Sequence, residues 1–118
     1  MSVAERRDDY LRERRRGFVF LFVPWCDACK RHSAAWKSNA GALAQLSCDV
    51  NFLNCFVDPE ALERFYVPEY PCVYARGDAG GWRRVEAHVL EDLAAGRRDF
   101  SKTARDLLGM PRGAPRKT

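Results

Sequence analysis

The sequence predicts an α/β sandwich, a mixed central sheet of four strands between helices. Three observations point to it. Helical and strand-like segments alternate along the chain, one run, "FVFLFV", is apolar without alternation, and a hairpin signal lies in the second half. A run of that kind is the pattern of a central strand covered on both faces. At 118 residues, with 47% hydrophobic and 31% charged residues, the chain reads as one ordinary globular domain that needs no disulfide staples.

Residues 3–15 read as a helix, with Val3, Tyr10 and Leu11 on a sparse apolar side and Gly17 as its stop. Strand 18–23 follows. From Cys26 the segment "CDACKRHSAAWKSNAGALAQL" reads as one long helix that weakens at 39–41. Glycine there costs about 1 kcal/mol relative to alanine. A second strand is expected over 51–57. Asp58 as N-cap, Pro59 at the first helical position and Glu60 in the first turn then start a helix over 58–66.

The segment "VPEYPCVYA" (67–75) carries two prolines and then an apolar strand. "RGDAGG" reads as a hairpin turn, and "WRRVEAHV" (82–89) as the antiparallel partner strand. Residues 90–98 fit either a loop or a short helical turn. The last helix, 99–108, has an apolar stripe of Phe100, Ala104, Leu107 and Leu108 before Gly109. The domain is expected to span 1–109, with 110–118 a disordered basic tail.

The net charge of +4 is modest and sits mostly in "ERRDDYLRERRR" and "PRGAPRKT". A solvated helix face explains such runs, and the tail has no interleaved aromatics and no finger spacing, so nucleic acid is not an expected partner. The longest apolar run, "FVFLFVPWC", is too short to span a bilayer, and no membrane partner is expected. The arginine stretch before it is too long and too acidic for a signal peptide, and no small-residue cleavage site follows. A cytoplasmic, reducing location is therefore expected, where structural disulfides are rare. Five cysteines, an odd number, also fit poorly with a fully paired framework.

Cys26 and Cys29 carry the chemistry. A cysteine at a helix start sits beside unpaired backbone N–H groups and the positive end of the helix dipole, which favours its thiolate. Cys26 is thus the expected nucleophile. Cys29, one turn along, is placed to attack the mixed disulfide that Cys26 forms with a substrate. Cys55 reads as a small buried hydrophobe, and Cys48 as a candidate to pair with it. His32 would extend the pair to C-x₂-C-x₂-H, but no second pair completes four ligands, so neither metal nor cofactor is expected. Trp25 reads as a lip beside the nucleophile, and Trp36 as packed.

The stretch "LFVPWCDACKRHSAAW", together with "VPEYPCV", resembles the thioredoxin superfamily, and most nearly the domains of protein disulfide isomerases. The likeness covers about residues 4–108. It implies a thioredoxin-like sandwich, here lacking the usual first strand because the chain begins with helix-forming residues. It also implies a thiol-disulfide oxidoreductase acting on protein disulfides, with a redox partner that recycles the pair. Pro71 would be cis and face the dithiol, and the Tyr70 backbone would hold substrate chain.

Several positions depart from the family's pattern. Asp27-Ala28 replaces Gly-His or Gly-Pro between the cysteines, and a carboxylate beside Cys26 opposes its thiolate, so a more reducing couple than the isomerases' is expected. The buried acid that relays protons should fall at position 20, which is Phe20, and slow turnover follows. The usual helix proline is Ala34. Cys72 replaces a common Thr after Pro71 and becomes a third thiol if it faces the pair. Residues 90–98 look like an added loop. These departures support an alternative reading, a weakly or non-catalytic module that recognises a protein partner through Trp25, Tyr70 and Pro71.

Overall fold

The structure, a computed structural model, describes residues 16–78 and 80–110. The helix expected over 3–15, the strand expected to be missing before it and tail residues 111–118 lie outside that range. Strand β1 (Gly17–Phe22) leads into helix α1 (Asp27–Ser38) and helix α2 (Ala40–Gln45). Strand β2 (Asp49–Asn54), the single turn α3 (Ala61–Arg64), strand β3 (Cys72–Arg76) and the short strand β4 (Arg83–Arg84) come next. Helices α4 (Ala87–Ala94) and α5 (Phe100–Leu107) close the domain.

The four strands form one mixed sheet in the order β2-β1-β3-β4. The run "FVFLFV" supplies its centre. β1 pairs parallel with β2 and antiparallel with β3, so Phe20 faces Phe52 on one side and Val73 on the other. Side chains alternate between the sheet's faces. Phe18, Phe20, Val73 and Ala75 meet Trp36, Leu43, Leu90, Leu93 and Phe100 beneath α1, α2, α4 and α5. Val19, Leu21, Leu53, Cys55 and Cys72 pack with Ala61 and Phe65 on the opposite face. The expected mixed four-stranded sheet between helices is thus the observed architecture.

Four elements differ from expectation. The long helix after Cys26 breaks at Asn39, whose side chain bonds back to the Ala35 carbonyl at 2.8 Å while its backbone leaves helical geometry. Asparagine offers the backbone such an alternative partner, which adds to the weakness at Gly41. The helix over 58–66 shrinks to Ala61–Arg64, because Phe65 turns extended and buries its ring against Tyr74 and Trp82. The strand expected over 82–89 keeps Arg83–Arg84, with one further ladder bond from the Val85 N–H to the Val73 carbonyl. Residues 87–94 are helix instead, so the segment 90–98, expected as a loop or a short helical turn, begins as the second half of α4. Leu90 and Leu93 fill the core from it, and Gly96 ends it in the left-handed region (φ 75°).

At the far end of β3, Gly77 lies against the last turn of α5. A Cβ built there would run into the Leu108 backbone carbonyl. Gly77→Ala must push strand and helix apart, at a cost of about 1–3 kcal/mol. A thermal midpoint lowered by several degrees is expected, and an unchanged midpoint would show that the two backbones do not touch. Met110, the first residue of the expected tail, still packs on this core, and its N–H bonds the Arg105 carbonyl at 2.9 Å.

Candidate active site

After β1 the chain reverses through Pro24 and Trp25, with the Cys26 N–H bonding the Val23 carbonyl at 3.3 Å. That turn places Cys26 as the N-cap of α1, in extended geometry, where its sulfur accepts the Cys29 N–H at 3.0 Å. Its sulfur thus receives a free backbone N–H at the positive end of the helix. The reduced Cys26 thiol also points at the Tyr70 carbonyl, 3.8 Å away. Cys26 is half-buried, whereas Cys29 is 2% exposed. Burial pushes the Cys29 thiol up to about 12, and its hydrogen bond with Cys26 adds to the rise. The pair is thus divided into an outer, reachable sulfur and an inner, protonated one.

The Tyr70–Pro71 peptide is cis and faces this sulfur across the gap to the Tyr70 carbonyl. Trp25 stands 67% exposed beside the nucleophile, with its ring edge-on to Phe56 at 5.2 Å. Trp25 and Tyr70–Pro71 therefore flank Cys26. Phe56, which the sequence reading did not single out, extends the same apolar lip.

The side chain of Asp27 is 99% exposed and lies 3.8 Å from Lys30. Water and that ammonium screen its field at Cys26 more than the sequence alone suggests. Ala28 adds no polar group. Phe20 is fully buried and sits among the rings of Phe22, Trp36 and Phe52. The space behind Cys29, a cavity of about 270 Å³, is walled by Phe22, Val23, Pro24 and Phe52, with Lys30 and Lys37 at its rim. No carboxylate lines it to take a proton from Cys29.

The remaining cysteines fall differently from expectation. Cys48 and Cys55 flank opposite ends of β2 and belong to opposite faces of the sheet, so they do not pair. A strand rises about 3.3 Å per residue, which puts these sulfurs many bond lengths apart. Cys72 follows Pro71, but its thiol turns to the Tyr66 carbonyl at 3.8 Å, and burial pushes it up to about 11. Cys55 is 4% exposed, its thiol points at the Leu53 carbonyl at 3.9 Å, and burial pushes it up.

His32 is 2% exposed and bonds Glu91 at 2.7 Å. His32 and then Arg31 hold the Glu91 carboxyl below its usual range. This clasp ties the dithiol helix to α4. Its partners are 59 residues apart in sequence, so no local signal marks it. Among the described residues no group of three or more His, Cys, Asp or Glu is placed to hold a metal ion.

No protein-family model matches the chain, and no curated protein matches it. Solved structures do. Mitochondrial thioredoxin 3 of Saccharomyces cerevisiae, in its oxidized form, is 13% identical with a TM-score of 0.62, over 79% of this chain and 86% of that one. Thioredoxin of Trypanosoma brucei brucei is 18% identical with a TM-score of 0.62, over 86% and 87% of the two chains. The J-Trx1 fragment of ERdj5 is 19% identical with a TM-score of 0.64, covering 89% of this chain and half (50%) of that fragment. At this identity the comparisons establish the fold: the described residues adopt the thioredoxin fold, as the two sequence motifs implied.

Proposed function

We propose that this thioredoxin-fold chain is a thiol-disulfide oxidoreductase acting on protein disulfides. The observation that carries the reading is the division of labour in the pair. Cys26 is a reachable sulfur on a helix amide, and Cys29 is a buried thiol one turn behind it. The Cys26 thiolate attacks a substrate disulfide, forming a mixed disulfide and releasing one substrate thiol. Cys29 then attacks the Cys26 sulfur, the second substrate sulfur leaves, and the Cys26–Cys29 disulfide remains for a redox partner to reduce. Tyr70, Pro71 and Trp25 border the attacking sulfur and would hold the substrate chain.

With Phe20 and Phe52 where an acid would serve Cys29, the second step lacks a dedicated base, and turnover is expected to be slow. The same feature favours the alternative, a module that binds a protein partner through the Trp25 and Tyr70–Pro71 surface with little catalysis. Among the described residues no helix is long and apolar enough to cross a membrane. A cytoplasmic setting is part of the proposal. Insulin reduction by dithiothreitol tests the reading: catalytic amounts of the protein should accelerate it, and a rate equal to dithiothreitol alone would leave only the binding module.

A further inference from the structure

The cavity of about 270 Å³ behind Cys29 takes no part in the exchange chemistry itself. It is a groove between α1 and the β1–β2 side of the sheet. Cys29, Ser33 and Lys37 line it from the helix, each one turn from the next and so stacked along one face. Phe22 and Phe52 line it from the strands, and Val23 and Pro24 from the turn that leads to Cys26. Two of these residues bond Cys26 directly. The Val23 carbonyl accepts its N–H at 3.3 Å, and the Cys29 N–H reaches its sulfur at 3.0 Å. A protein chain whose cysteine is seated on Cys26 therefore brings its neighbouring residues to this opening.

Size and charge define what fits. An apolar cavity of about 150 Å³ encloses a benzene ring, and drug-sized ligands need roughly 300 Å³ or more. At about 270 Å³ the groove takes one large side chain. Its floor is aromatic: Phe22 and Phe52 stand beside Phe20, at 6.4 and 5.2 Å between ring centres. Such a floor favours another ring. Its rim is cationic. The Lys37 ammonium stands 5.3 Å over the Phe52 ring, the Lys30 side chain is 70% exposed, and no carboxylate lines the groove. Asp27 meets Lys30 from outside, almost wholly in solvent. The Ser33 hydroxyl turns back onto the Lys30 carbonyl at 3.1 Å, which leaves the wall between the lysines small and uncharged.

We propose that this groove docks a protein segment in which an aromatic side chain lies beside aspartate or glutamate, close in sequence to the cysteine that reacts with Cys26. The ring enters between α1 and Phe52, and the carboxylate meets Lys37 or Lys30. The inference rests on the functional reading above only in calling that protein a substrate. Burial of the ring supplies affinity, and the two ammonium groups supply choice, because a basic segment meets repulsion where an acidic one meets attraction. Tyr70 packs with the cluster on one face of the sheet, and Phe22 and Phe52 with the cluster on the other. The groove and the Tyr70–Pro71 loop thus hold the docked chain on two sides of the attacking sulfur.

The test measures binding of short synthetic peptides to the reduced full chain by amide chemical shifts in nuclear magnetic resonance. Each peptide carries serine in place of cysteine, so no exchange occurs. One has phenylalanine between two aspartates, a second has lysines for the aspartates, and a third has alanine for the phenylalanine. At low salt the first should bind about tenfold more tightly than the second and shift the amides of Ser33, Lys37 and Phe52. Loss of the ring should cost about tenfold as well. Lys37→Glu should weaken the aspartate peptide about fivefold and strengthen the lysine peptide. Equal affinities for these two peptides overturn the proposal, as do shifts confined to Trp25 and Tyr70 or no groove shifts with any peptide. Free 3-phenylpropionate binding as tightly as the aspartate peptide overturns it in favour of a small-molecule site. Groove shifts that follow the protein's own concentration overturn it in favour of a second copy. Should Lys37→Glu not fold, the wild-type peptide series decides. The insulin assay is separate: an aspartate peptide seated in the groove of a protein without reductase activity keeps the docking site and removes the functional reading alone.

Discussion

Insulin reduction by the Cys26→Ser protein is expected to fall to the rate of dithiothreitol alone, a loss of at least on the order of a hundredfold from the catalysed part. The size follows from the geometry of the pair. Once Cys26 is gone, Cys29 is the remaining sulfur of the motif, and it is 2% exposed. Burial, the largest cause of its raised pKa, persists in the variant and keeps the Cys29 thiol protonated at neutral pH. A wild-type rate in this variant would place the chemistry elsewhere.

Cys29→Ser should behave differently. Attack by Cys26 persists, resolution does not, and a covalent complex with substrate should accumulate on a non-reducing gel. The sign of the pH dependence follows from the same shift. A raised thiol gains thiolate tenfold per pH unit until its own pKa, so the resolving step in wild type should speed up about tenfold per unit above neutrality. Single-turnover rates measure this. A flat profile would reveal a base that takes the Cys29 proton despite Phe20.

Trp36→Ala is expected to destabilise the domain by about 3–5 kcal/mol, a large part of the roughly 5–15 kcal/mol that holds a domain folded. Trp36 is 1% exposed, and its ring meets Phe18 at 4.9 Å and Phe100 at 4.8 Å, both edge-on. Truncation empties the joint between β1, α1 and α5 and removes both ring contacts. Urea unfolding should show the midpoint falling with little change in slope. Trp36→Phe, which keeps a ring in the joint, should lose clearly less. A loss under about 1 kcal/mol for the alanine variant would mean that the core closes over the gap. Because α1 also carries Cys26 and Cys29 at its start, reductase activity should fall with the folded fraction.

Much of this site is legible in the residues themselves. The uninterrupted apolar run over 18–23 marks the central strand, and Cys26 after it marks a helix start. The strand and the helix start are short-range facts: a strand buried on both faces, a cap and a spacing each depend on neighbours within a turn or two. The family resemblance, not local pattern, implies that Phe20 stands where an acid would serve the inner thiol and that the Tyr-Pro pair belongs to a loop that meets Cys26. Where reading fails, distant neighbours decide. Residues 87–89 alternate well enough for a strand, yet they enter a helix because Leu90 and Leu93 fill the space under β1 and β3. Residues 58–66 carry a good helix start, yet Phe65 leaves the helix for the pocket beside Tyr74 and Trp82.

The thiols show the same division. Sequence by itself determined that Cys26 and Cys29 form a pair at a helix start, because spacing and dipole are local. It could not rank Cys48, Cys55 and Cys72. The sheet decided that Cys48 and Cys55 sit on opposite faces, and packing turned the Cys72 thiol toward the Tyr66 carbonyl. Likewise His32 is one polar residue on a helix until α4 brings Glu91 to within 2.7 Å. Local patterns choose the elements, but burial and partnership arise only when packing brings together residues far apart in the chain.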